Sequence, residues 1–128
     1  MPIPGTITGA TGARGEATIV AGDEQVRVLF TNRAIAEAEK AIGRSILGIL
    51  QGFVENTTGI GDLAQLLLQG MQAARRDARG GSVVRIQDAW DVLDAAGFGT
   101  VAAAVMEAVA AVLAYDPNAE AEDEDPNA

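Results

Sequence analysis

Val26-Arg-Val-Leu-Phe-Thr-Asn-Arg-Ala-Ile-Ala-Glu-Ala-Glu-Lys-Ala-Ile-Gly43 changes its period in the middle. Up to Phe30 the pattern has a repeat of two, with Val26, Val28 and Phe30 on one side and Arg27 opposite, as in a strand with one wet face. From Asn32 the repeat is helical: Ala34, Ile35, Ala38, Ala41 and Ile42 fall on one arc, and Arg33, Glu37, Lys40 and Arg44 fall opposite. Thr31 or Asn32 can cap this helix, because either side-chain oxygen can accept from an unpaired N–H of the first turn. Gly43 ends it as a left-handed residue. Ile35 and Ile42 are therefore expected to fix the strand to whatever the helix packs on. Glu39, at the border of the apolar arc, reads as a rim carboxylate reaching an Arg or a backbone N–H rather than as a catalytic group.

Upstream, Glu16-Ala-Thr-Ile-Val20 and Gln25 to Phe30 flank Gly22-Asp23, the composition of a tight turn, so 16–30 reads as a β-hairpin. Two strands are marginal in water, and this hairpin must lie on helices or gain another strand. Residues 1–15, rich in Gly, Thr and Pro, read as a flexible arm, with strand addition by Thr6-Ile-Thr8 as the alternative. Their first residues lack a basic stretch followed by an apolar run, so no signal peptide is expected.

Downstream the chain reads as helix. Ser45 caps a segment over 45–55 in which Ile46, Leu47, Ile49, Leu50, Phe53 and Val54 share a face, with Gly48, Gln51 and Gly52 behind. Asp62-x-x-Gln65 resembles a capping box opening a helix over 62–78, where Leu63, Leu66, Leu67, Met71 and Ala74 form an apolar face. Gly70 lies in that face, where a neighbouring backbone could come close. Arg75, Arg76 and Arg79 at its end complement the helix dipole and make a weak nucleic-acid patch. A helix over 86–96 places Ile86, Ala89, Trp90 and Leu93 together, Trp90 being a core anchor or a binding hot spot, while Asp88, Asp91 and Asp94 read as a solvated acidic face. Thr100 is expected to cap a last helix over 100–115, apolar almost all round, which must be buried or covered by a partner through Val101, Val105, Val109 and Val112.

The predicted fold is thus α+β and mainly α, an N-terminal hairpin on a bundle of about five short helices within one globular domain over 16–115. Residues 116–128 repeat Asp-Pro-Asn-Ala and read as an acidic disordered tail, a solubility device or a competitor for basic surfaces.

Chemistry is constrained by what the 128 residues lack. There is no cysteine and no histidine, which excludes disulfides, thiol and imidazole catalysis and Cys/His zinc sites, and suits a reducing compartment. The net charge is −9, and the six tail acids leave residues 1–115 at −3, so nucleic acid is not expected as a partner. The last helix is too short and too rich in alanine for a membrane span. An acid/base or metal-dependent enzyme would need convergent carboxylates, and the acids here are dispersed or in the tail.

The order of these stretches resembles a known family. Gly15-Glu-Ala-Thr-Ile-Val20, the Gly-Asp turn, Val26 to Phe30 and Asn32 to Gly43 are similar to the opening of the small tail assembly chaperones of long-tailed, siphovirus-like phages and gene transfer agents. The similarity continues through Ile60-Gly-Asp-Leu-Ala-Gln-Leu-Leu-Leu-Gln-Gly70 and Val92-Leu-Asp-Ala-Ala-Gly97 into the alanine-rich last helix, spanning about Gly15 to Tyr115. It departs at the arm, at Asn56 to Gly59 and at the tail. The resemblance implies a non-enzymatic protein without cofactor or metal, acting in the cytoplasm of the bacterial host or producing cell. Such proteins bind the long helical tape-measure protein, keep it soluble and help recruit the tail tube protein, and many have a longer frameshifted form. Apolar helix faces suit an amphipathic partner helix, and an exposed sheet edge suits a homo-oligomer. The alternative is a structural head-tail or tail morphogenesis subunit retained in the particle.

Overall fold

The computed structural model of the chain describes residues 14–118; the expectations for residues 1–13, Thr6–Thr8 included, and for 119–128 lie outside the described residues. Strands β1 (Glu16–Ala21) and β2 (Glu24–Leu29) form the expected antiparallel hairpin, in the register Ile19↔Val26, Ala17↔Val28, Thr18↔Arg27. Gly22 makes the turn at φ +65°. One further bond, from the Phe30 N–H to the Gly15 carbonyl at 2.8 Å, extends the pairing past β1. Gly15 sits at φ +83°, and a Cβ there would lie 2.2 Å from the Phe30 oxygen and 2.6 Å from Val112 Cγ2, so no other residue fits the hairpin's entrance.

Five helices follow: α1 (Asn32–Ile42), α2 (Ile46–Val54), α3 (Ile60–Ala78), α4 (Ile86–Ala96) and α5 (Phe98–Leu113). The architecture is the α+β, mainly helical one expected from the change of period. α3 is the axis, packing against β2, α1, α4 and α5, with Leu63, Leu66, Leu67 and Ala74 buried along it. α4 and α5 meet at 115° around Gly97, which has φ +91°, and both lie against β1. The hairpin is thereby supported from two directions, which is how two strands remain stable without a third.

Close packing at the centre depends on Gly70. A Cβ there would come within 2.6 Å of Phe30 Cζ and 3.1 Å of Val28 Cβ. The close approach expected at this glycine is real, but a ring and a β-branched side chain make it, not a backbone.

Two helix starts differ from expectation. α3 begins at Ile60 behind Gly59, which offers no side-chain cap; Asp62 lies in the first turn, where it suits the helix dipole, and pairs with Arg44 at 3.5 Å. α5 begins at Phe98, not after Thr100, because Gly97 ends α4 and starts α5 in one residue, and it stops at Leu113. α2 starts as expected behind Ser45 and runs over Ile46–Val54, with Glu55 as its other cap.

The wet face expected for the hairpin holds on β1, where Val20 is exposed and Thr18 half-buried, and is corrected on β2. Arg27 is 1% exposed and Leu29 is buried, because the end of α3 covers them. The Arg27 guanidinium pairs with Glu16 and with Asp77 at 2.7 Å, and also donates to the Ala74 carbonyl at 3.5 Å. Burial pushes the Arg27 pKa down, but the hydrogen bonds and charges of Asp77 and Glu16 outweigh it and the net shift is upward. Arg27 stays charged and ties the hairpin to α3.

Candidate functional site

The α1–α2 joint is built from local hydrogen bonds. Thr31 Oγ1 accepts from the Ala34 N–H at 3.0 Å, and Ser45 Oγ accepts from the Gly48 N–H at 3.1 Å. Gly43 is left-handed at φ +81°, and its N–H donates to the Glu39 carbonyl at 2.7 Å. The Glu39 carboxylate accepts from the Ile46 N–H at 2.8 Å, satisfying an orphan donor at the start of α2. Glu39 is thus the rim carboxylate expected from its place on the arc. Ile35 is buried and Ile42 half-buried against the core.

This joint holds α2 at the side of the domain, where it packs on α1 and touches α5 through the Phe53 and Phe98 rings, 6.4 Å apart. Ile46, Ile49 and Gly52 face inward; Gly52 is buried, contrary to the expectation that it lies on the outer side, because Thr58 folds over it and donates to the Ile49 carbonyl at 2.8 Å. Leu47 and Val54, expected in the buried face, are each 68% exposed. They stand seven residues apart, and so nearly in line on the outside of a helix that carries no charge from Ile46 to Val54. Phe98, next to Phe53, is exposed as well.

The last helix does the reverse. Val101, Val105 and Val109 are 0% exposed and Val112 is half-buried against the core. The expectation that these valines meet a partner is corrected: α5 turns its apolar row toward β1, α3 and α4, where the domain encloses it. Trp90 is half-buried against the same core, in the position of an anchor.

A cleft of about 470 Å³ opens on another side, where the hairpin turn meets α4. Ala21, Met71, Val84 and Val92 floor it, Val83 stands at its lip, and Glu24, Asp88 and Asp91 edge it. Two of these acids also shape α4: Asp88 Oδ2 accepts from the Arg85 N–H at 2.8 Å, and Asp91 Oδ1 accepts from Gln87 at 3.0 Å. Asp88, Asp91 and Asp94 are all exposed, as expected of a solvated acidic face.

The three arginines at the end of α3 have different surroundings. Arg75 donates to the Gly81 carbonyl at 3.3 Å, and Arg79 is the left-handed cap of α3 at φ +57°. Arg76 is pushed to lower pKa by burial and by Arg33 of α1, with Glu37 opposing. Two of them thus act within the chain, Arg75 on the loop after α3 and Arg79 as its cap. Among the described residues, no group of three or more His, Cys, Asp or Glu could hold a metal ion. No single helix among them is long and apolar enough to cross a membrane.

The geometry therefore offers two apolar surfaces, the outer row of α2 and the acid-edged cleft. The outer row was missed because Leu47 and Val54 fit an apolar arc equally well whether α2 is enclosed or peripheral; its complete lack of charge was the available signal. Compared with protein-family models, with curated proteins and with solved structures, the chain matches none.

Proposed function

We propose that this protein is a non-enzymatic tail assembly chaperone that binds the tape-measure protein, keeps it soluble and helps recruit tail tube subunits in the cytoplasm of the bacterial host or producing cell. The family assignment rests on the order of sequence stretches from Gly15 to Tyr115. The observation that carries a binding role is the outer row of α2. Leu47 and Val54 hold large apolar side chains in water on a helix side that carries no charge and only Gln51 between them, and a partner that covers this side gains their burial. An amphipathic helix of the partner laid along α2 would bury them.

Co-expression with the cognate tape-measure protein tests the reading. The wild-type chain should raise the partner's soluble yield and co-purify with it, and Leu47→Asp/Val54→Asp should do neither while remaining folded. A tape-measure protein equally insoluble with and without the wild-type chain overturns the chaperone reading. Stoichiometric presence of the chain in purified particles would instead favour a retained morphogenesis subunit.

A further inference from the structure

The cleft between the hairpin turn and α4 shares no lining residue with α1 or α2, so it is separate from the surface just described. Its floor is apolar and its edge is anionic. Ala21, Met71, Val84 and Val92 supply aliphatic surface, and Val83 extends it outward at 63% exposure. The polar lining residues are Glu24, Ser82, Asp88 and Asp91, of which three are acids and none is a base. Ser82, Asp88 and Asp91 are exposed at the margin, and no buried polar side chain reaches the floor to orient a small molecule. Small-molecule sites depend on such groups. The carboxylates of Asp88 and Asp91 each make one hydrogen bond within α4, and an ionised carboxylate has room for several.

We infer that the cleft is a second docking site, for a protein segment that inserts an aliphatic side chain between the hairpin turn and α4 and sets Lys or Arg against Asp88 and Asp91. Charge complementarity selects this occupant. An acidic segment is repelled by the edge, and a second copy of this chain offers a net negative surface. A neutral apolar segment gains the floor but leaves the carboxylates uncompensated. The volume, about 470 Å³, accommodates several aliphatic side chains, and the acids stand at its edge, so the segment seats its apolar residues on the floor and keeps its cations at the margin. The inference does not depend on the chaperone assignment, because it concerns the chemistry of any segment that fits.

The test is fluorescence anisotropy on the full chain, with a labelled amphipathic Leu/Lys helical peptide as probe and its Leu/Glu counterpart as control. The Leu/Lys peptide should bind and the Leu/Glu peptide should not. Asp91→Lys should weaken binding about tenfold, as expected for losing one attraction and adding one repulsion at a partly exposed site. Asp94→Lys makes the same change of net charge outside the cleft and should weaken it less than about threefold. Ala95→Trp fills the cleft from an exposed helix position without changing any charge, and should abolish binding with the circular dichroism of α4 retained. Equal losses in Asp91→Lys and Asp94→Lys, or full binding by Ala95→Trp, would show that the peptide senses only the overall acidity of the protein and would overturn the proposal.

Discussion

Gly70→Ala sets two effects of opposite sign against each other. In an exposed helix the change stabilises by about 1 kcal/mol, since glycine is the poorer helix former. In α3 the new methyl would lie 2.6 Å from Phe30 Cζ, 2.8 Å from Phe30 Cε2 and 3.1 Å from Val28 Cβ. Carbon atoms settle at about 3.5–4.0 Å, so the ring must retreat by roughly 1 Å. Phe30 and Val28 are fully buried, and neither can swing into solvent. Overpacking of this kind costs about 1–3 kcal/mol, and two contacts below 3 Å place Gly70→Ala at the upper end. The net loss is then about 2 kcal/mol, or roughly 10 °C in Tm for a domain of this size. Urea unfolding followed by circular dichroism measures it, with Phe30→Leu as the second arm of a double-mutant cycle. Leucine removes the two clashing ring atoms, so Gly70→Ala should be neutral or stabilising in that background, with a coupling of about 1–2 kcal/mol. A Gly70→Ala protein more stable than wild type, or equally destabilised in the Phe30→Leu background, would refute the seating of α3 on Phe30.

Other expectations follow from single contacts. Gly15→Ala should cost about 3 kcal/mol in urea unfolding, from a positive φ and the collision with the Phe30 carbonyl together. Arg27→Ala should lose about 3–5 kcal/mol by breaking the buried ion pair with Glu16, and Arg27→Met/Glu16→Gln should recover most of that loss in the same measurement. Glu39→Ala should cost about 1 kcal/mol and speed amide exchange at Ile46, whose N–H it holds. Leu47→Asp/Val54→Asp should leave stability within about 0.5 kcal/mol of wild type, whereas Ile35→Asp should unfold the domain, both read by thermal melts.

What could be read in the residues divides along the range of the forces involved. The hairpin register, the Thr31 and Ser45 caps and the left-handed Gly43 are set by partners a few residues away, so local chemistry identifies them. Glu39 was legible for the same reason, because Ile46 is only seven positions on. The start of α3 was not, because Asp62 faces Arg44 as well as its own first turn and Gly59 leaves no side-chain signal. Arg27 reads as solvent-facing by period, and only the end of α3, some fifty residues later, makes that face an interior. The surfaces were the least legible. Both α2 and α5 carry more apolar residues than one face can use, and which of them is enclosed depends on where the domain runs out of neighbours. α5 found three elements to lie against and α2 found little beyond α1. Val101, Val105 and Val109 are therefore enclosed, and Leu47 and Val54 are left exposed.

The contact of β1 with α5 has a consequence for how the chain is made. Gly15 opens the first strand and touches Val112, almost at the end of the last helix. A ribosome adds about 5–20 residues per second from the N-terminus, so the hairpin emerges seconds before the helix that covers it. During that interval Ile19 and its neighbours on β1 lack α4 and α5, and the nascent chain presents an apolar strand to its surroundings. Completion of the domain is gated by release of its final helix, and a chain stalled or cut short before Val101 would leave the translation machinery with its first strand uncovered.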